Sequence, residues 1–257
     1  MKKARAEADA SGDDDPLFVR SLAKAFHILE AFKQPGGNLG LAQLCEITGY
    51  DKSTVQRFVH TLERIGYLER DPETRKCGIS LKVLELSHAY LRTHQLVSKA
   101  FPYLVHLRQK TDETVNLCVL DGADTVYVSR IVGSHILNTD IMVGSRLPSY
   151  RTAPGLSIMS QMPQPEVLAI LESVRLDENY TVPGIMKRID RVGKESYALT
   201  VEEIFPNDMS VACPIVSHNR AIGAVSIGCS TLRRKPEDVV NDFVPLLRGV
   251  AHSLSNL

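Results

Sequence analysis

Apolar positions in the first third of the chain recur at helical spacing. Leu22, Ala25, Phe26, Leu29 and Phe32 fall at i, i+3, i+4, i+7 and i+10, which predicts an amphipathic helix from about Ser21, its expected N-cap, to Phe32. Gln34-Pro35-Gly36-Gly37-Asn38 then breaks the chain. A short helix follows over 41–48, with Leu41, Leu44, Cys45 and Ile47 apolar and Gly49 where a helix end favours a left-handed residue. Asp51 is placed to cap a third helix over 52–65, whose Val55, Phe58, Val59, Leu62 and Ile65 repeat the first spacing. Two short strands around Asp71-Pro72 predict a hairpin over 66–79. Leu81, Leu84, His88 and Leu91 form a stripe at 0, 3, 7 and 10, a linker helix over 81–96 whose apolar line is either core or a dimer seam.

From residue 97 onward the period changes. Alternation over 114–120 and 125–132 brackets the turn Asp121-Gly122-Ala123-Asp124, and a second pair, 210–216 and 221–227, brackets Ser217-His218-Asn219-Arg220. Helices are predicted over 97–110, 154–161, 164–174, 186–198 and 236–254. Antiparallel strand pairs with grouped helices predict an α+β domain. The organisation expected is therefore a disordered tail over 1–15, a first domain over 16–80, the linker over 81–96 and a second domain over 97–257.

The outward face of the third helix carries candidate chemistry. Lys52, Ser53, Thr54, Gln56, Arg57, His60 and Arg64 are donors or donor–acceptors suited to phosphates and base edges, and Glu63 is the one acid at its margin. A short helix, a tight turn and a helix with a basic outer face make a helix-turn-helix. The hairpin behind it is a wing, with Arg75 and Lys76 at its tip. A solvated structural helix is the bland alternative; the full order of helix, helix, basic helix and wing favours double-stranded DNA as partner.

Overall charge does not advertise that partner. Thirty basic residues balance thirty acidic ones, and residues 16–80 hold nine Lys or Arg against seven Asp or Glu, a net of +2, so affinity requires two copies acting together. The five cysteines are odd in number and contain no CxxC pair, which argues against a disulfide framework or zinc ribbon and for a reducing, cytoplasmic setting. No apolar run reaches the roughly 18–20 residues that span a bilayer, so no membrane partner is expected. His88 and His94, six apart, do not share a helical face, and no metal or cofactor is expected. Cys118 and Cys213 are conceivable nucleophiles, but both lie in alternating strand patterns, and no Gly-x-Ser-x-Gly, phosphate loop or HExxH is present. An enzyme is not expected, and the basic face of 52–64 argues against a pure protein-interaction module.

The residues Arg20-Ser21-Leu22-Ala23-Lys24-Ala25, Lys52-Ser53-Thr54-Val55-Gln56-Arg57 and the run from Leu62 to Pro72 resemble the IclR family of bacterial regulators. The likeness continues through Leu81 to Leu86, Glu113 to Leu117, Val119 to Gly122, Val126 to Val128, Gly144 to Pro148 and Ala212 to Ile215. It implies a winged helix-turn-helix, a linker helix and a GAF-like or profilin-like effector-binding domain. It also implies a homodimer or tetramer on a near-palindromic operator, acting as repressor or activator. Tyr90-Leu91-Arg92 and Val143 to Tyr150 are most similar to the branch that senses aromatic acids such as protocatechuate and 4-hydroxybenzoate.

Carried over residue by residue, the resemblance places the effector against Leu147, Tyr150, Arg151, Thr152, Ala153, Pro154, Gly155, Thr200, Ser210, Ser226 and Gly228. The chain departs from the family's pattern at three of these places. Tyr150 to Ser157 replaces a stretch that usually ends in Gly-Lys-Ala or Gly-Arg-Ala, Thr200 stands where several members have Asp, and Ser210 where several have Cys. An acid lost and Arg151 gained favour an anionic effector, an organic acid held by two parallel hydrogen bonds.

Overall fold

The structure, a computed structural model, describes residues 15–34, 36–135 and 140–255. The tail expected over 1–15 lies outside them except for Asp15. The chain divides into two compact units, Met1–Tyr90 and Leu91–Leu257.

The first unit contains α1 (Arg20–Ala31), α2 (Leu41–Thr48), α3 (Lys52–Arg64) and the strands β1 (Leu68–Arg70) and β2 (Cys77–Ile79). Ile28, Leu44, Val55, Val59 and Leu62 close its core. Local signals set the helix ends of the helix-turn-helix. Gly49 adopts φ 71° and donates its N–H to the Cys45 carbonyl, and the Asp51 carboxylate accepts from the Thr54 N–H at 2.9 Å. Helix α1 differs from expectation. Val19, not Ser21, is the N-cap, and no side chain caps it. The fully buried positions are Ile28 and Ala31, whereas Leu22 and Phe26 of the expected stripe are each 56% exposed. This helix carries apolar residues on two neighbouring lines, and only one of them meets α2 and α3. The other borders a groove within the unit with Leu29, Phe58, Ile65 and Ile79.

The expected single linker helix is broken into α4 (Val83–Thr93) and α5 (Gln95–Thr111) by His94, whose backbone is extended. The burial pattern explains the break. Helix α4 buries no residue, while α5 buries Leu96, Ala100, Leu104 and Leu107 in the core of the second unit, and partly buried Leu91 packs on that core rather than continuing an exposed stripe.

The second unit is built on a six-stranded antiparallel sheet in the order β5-β4-β3-β8-β7-β6. Its strands are β3 (Thr114–Asp121), β4 (Asp124–Ile131), β5 (Arg146–Pro148), β6 (Ala198–Val201), β7 (Asp208–Ser217) and β8 (Arg220–Ser230). The two predicted hairpins form with two-residue turns, and His218 and Asn219 take φ 47° and 60°, the left-handed pair that suits strand twist. One sheet face buries Leu117, Val211, Cys213, Val225 and Ile227 beneath α5 and α9 (Pro236–Ser255). The other face is covered by α6 (Ala153–Met159) and α8 (Val182–Glu195), with α7 (Gln164–Glu172) completing that layer. Strands β5 and β6, only three and four residues long, were not predicted. Helix α8 starts before the expected residue 186, because the Thr181 hydroxyl accepts from the Gly184 N–H and Pro183 fits the first turn. It stops at Ser196 in a left-handed cap, which frees the next residues to join the sheet as β6.

Candidate functional sites: a basic helix face and a polar cavity

In the first unit, Lys52, Ser53, Gln56, Arg57, His60 and Arg64 are all exposed, and at 100° per residue they fall within an arc of about 140° on α3. Val55, Val59 and Leu62 occupy the opposite side and are buried. Glu63 is withdrawn from the arc. Its carboxylate is 2.7 Å from Arg70 Nε on β1 and accepts from the Cys77 thiol, so it does not repel a phosphate backbone. Thr54 is not presented like its neighbours. Its hydroxyl donates to Asp51 Oδ2 at 2.7 Å and is committed to the helix cap.

The wing forms as β1 and β2 pair, Leu68 opposite Ile79. Asp71 Oδ1 accepts from the N–H groups of Glu73 and Thr74, and these hydrogen bonds hold the carboxyl below its ordinary range. Arg75, at φ 59°, and Lys76 are exposed at the tip, as expected.

In the second unit a cavity opens where β5, the start of α6 and the ends of β6 and β7 converge. Its enclosed room is about 20 Å³, about that of one water, and the rest of its space is open to solvent, so a bound ligand has to widen it. Leu147, Arg151, Thr152, Ala153, Pro154, Thr200 and Ser210 line it, so seven expected residues are brought together. Thr200 and Ser210 are direct partners across β6 and β7.

Four expected residues do not line it. Tyr150 is buried, accepts from the Asp177 N–H at 3.2 Å and packs edge-on against Tyr180. Ser226 and Gly228 lie on β8, one strand further in, where Ser226 accepts from Asn116. Gly155 serves packing, since a Cβ there would overlap the Ser149 backbone and the Thr125 hydroxyl. Gly155→Ala is therefore expected to destabilise the second unit by about 1–3 kcal/mol, read as a lower thermal midpoint. An unchanged midpoint would show that α6 shifts freely.

Arg151 is not the open carboxylate clamp expected of it. Its Nη1 is 2.7 Å from Asp177 Oδ2, its Nη2 donates to the Glu203 carbonyl, and its guanidinium lies over the Tyr180 ring. Only the buried Nε remains without an acceptor among the described residues. The Thr152 hydroxyl is also engaged, 2.7 Å from that of Thr125 and accepting from the Gly155 N–H.

The cavity contains residues that the sequence reading missed: Tyr127 on β4, Asp208 at the start of β7, and Glu203, Ile204 and Phe205 between β6 and β7. The Glu203 carboxylate is taken by Tyr180 and by Arg188 at 2.7 Å. Asp208 is different. It accepts no hydrogen bond from the described residues, and burial raises its carboxyl to about 6 against the opposing pull of Arg130. Its spacing from Ser210, two residues along one strand, was the available signal that both share a face.

No group of His, Cys, Asp or Glu suited to a metal occurs among the described residues, and no helix there is long and apolar enough to cross a membrane. Cys118 and Cys213 are buried, and burial pushes both thiols up, Cys213 to about 12, which makes them poor nucleophiles.

Comparison with known proteins agrees with this architecture. The family description "Bacterial transcriptional regulator IclR C-terminal" matches residues 88–256, and "IclR helix-turn-helix domain" matches residues 21–72. The chain is 28% identical to the HTH-type transcriptional regulator XynR of Escherichia coli, over 87% of this chain and 91% of that protein. It superposes on an IclR family transcriptional regulator from Brucella abortus with a TM-score of 0.78 at 27% identity, covering 95% and 94% of the two chains. An IclR homologue from Microbacterium hydrocarbonoxydans, solved with 4-hydroxybenzoate, shares the fold with a TM-score of 0.76 at 21% identity, covering 92% and 98%.

Proposed function

The chain belongs to the IclR family of bacterial transcriptional regulators, and from that premise we propose that it binds a near-palindromic operator as a homodimer or tetramer in the cytoplasm and that a small organic acid in the cavity changes its operator affinity. The observation that carries the DNA-binding part is the outward arc of α3, six exposed donors with the neighbouring acid Glu63 drawn off by Arg70. A helix so furnished enters a major groove, and the wing tip with Arg75 and Lys76 meets phosphates beside it. No catalytic role is assigned, since the family consists of transcriptional regulators.

The test is selection of duplexes from a random-sequence pool with the full-length protein. Enrichment of a site with two-fold symmetry supports the proposal, and sequence-indifferent binding refutes it. Log affinity for the enriched duplex is expected to fall with log salt at about 0.9 per phosphate neutralised.

Self-association is supported by apolar surface within the first unit. Leu22 and Phe26 border the open groove, and Leu81, Leu84 and Leu86 of the linker region are exposed. A net charge of only +2 over 16–80 also needs doubling. The double variant Phe26→Asp with Leu84→Asp is expected to weaken self-association at least about tenfold in sedimentation equilibrium, since each change puts a charge into an apolar contact. An unaltered association constant would place the seam elsewhere.

For the effector, the structural relative solved with 4-hydroxybenzoate supports an acid, aromatic or otherwise. A panel of small carboxylates is the probe. An acid at a hundred times its dissociation constant is expected to add about 2.7 kcal/mol of stability. A flat thermal response to every acid would remove the carboxylate from the proposal. Any acid that binds changes DNA affinity only by as much as it prefers one arrangement of the regulator.

A further inference from the structure

We propose that Asp208 determines which effectors the cavity accepts: its carboxylate takes a hydrogen bond from a hydroxyl or N–H of the ligand, so acids that carry such a donor bind in preference to those that lack it. This rests on the reading of the cavity as the effector site and adds a selection rule to it.

Among the charged side chains lining the cavity, Arg151 is held by Asp177 and the Glu203 carbonyl, and Glu203 is held by Tyr180 and Arg188. The Asp208 carboxyl alone has no hydrogen-bonding partner among the described residues, and it is partly buried in the cavity wall. A half-buried carboxylate without a donor is held at some cost, and a ligand that supplies a donor and excludes the remaining water recovers it. A site with an unmet polar group discriminates sharply, because the analogue lacking the complementary group leaves it unmet.

The remaining lining is consistent with a ligand of two ends. The Ser210 and Thr200 hydroxyls stand beside Asp208, on β7 and β6. The orphan Nε–H of Arg151, another lining residue, suits the ligand's own carboxylate. Placing that carboxylate against Asp208 would instead oppose two like charges.

Protonation supplies an independent sign. The groups that act on Asp208 are Arg130 and Tyr127 from β4 and Cys229 from β8, and the cavity's other charged groups are Arg151 before α6 and Glu203 between β6 and β7. A ligand donor stabilises ionised Asp208, so affinity falls as pH drops through about 6. A carboxylate facing Asp208 would raise its proton affinity, and binding would strengthen on acidification.

The experiment is calorimetric titration of the full-length protein with matched probes, 4-hydroxybenzoate against benzoate and lactate against propanoate. Wild type and Asp208→Asn are compared at pH 7.5, with a wild-type pH series down to 5. The expected result is that the hydroxylated member of at least one pair binds wild type at least about tenfold more tightly, a difference of about 1.4 kcal/mol. Asp208→Asn is expected to shrink that preference to threefold or less, in round terms about 0.7 kcal/mol, and wild-type affinity for the hydroxylated acid is expected to weaken on acidification. Equal binding within every pair, a preference that survives Asp208→Asn, or affinity that rises as pH falls overturns the inference while leaving an acid-sensing cavity in place. If none of the four acids binds, the selection rule falls together with the acid-effector reading. The wild-type series decides the matter by itself should the variant not fold.

Discussion

Arg57→Ala is expected to lower affinity for the selected operator by about 10- to 100-fold per half-site, measured by fluorescence anisotropy at fixed salt, with little change in affinity for unrelated duplex. Arg57 is exposed at one edge of the polar arc of α3, one turn from Ser53 and from His60. Its backbone is fixed by the buried Val55 and Val59 beneath it, so the guanidinium is presented by a rigid element. A guanidinium so placed can take guanine O6 and N7 together, worth about 1–3 kcal/mol of discrimination. The comparison with Lys76→Ala separates reading from gripping. Lys76, at the wing tip, is expected to weaken operator and unrelated duplex alike and to reduce the salt slope by about 1. Unchanged operator binding by Arg57→Ala would remove this residue from the interface, and equal losses on both duplexes would reassign it to the phosphates.

Asp208→Asn is expected to stabilise the ligand-free protein at neutral pH and to have no effect in acid. The sign follows from linkage. Burial raises the folded carboxyl to about 6, from about 3.8 when unfolded. Between those values the folded state binds the proton more tightly, so stability declines as pH rises through the window of about 4 to 6 and stays reduced above it. Part of the side chain reaches solvent, so the cost at pH 7.5 is on the order of 2 kcal/mol. The amide removes the charge with little change of shape. Thermal midpoints of wild type and variant are expected to differ by several degrees at pH 7.5 and to converge near pH 4. A variant less stable than wild type at both values would mean that Asp208 has a structural partner. A group that weakens the empty protein and favours the loaded one is what the trade between stability and binding produces at a site.

Much of the first unit was legible in the sequence because its signals are local. The Gly49 C-cap, the Asp51 N-cap, the Asp71 turn and the division of α3 into apolar and donor faces each depend on residues within one or two turns of chain. The two hairpins of the second unit were likewise readable from alternation and turn residues. Tertiary structure decided what local pattern leaves open. It chose Ile28 and Ala31 over Leu22 and Phe26 as the buried line of α1, because packing against α2 and α3 ranks two similar apolar stripes that periodicity cannot. Tertiary contacts also committed Arg151 to Asp177, 26 residues away, and they carried Ser226 and Gly228 one strand off the cavity. Asp208 entered the cavity for the same reason. Whether a polar side chain is satisfied depends on partners brought together by the sheet and by α6, and spacing along the chain does not record them.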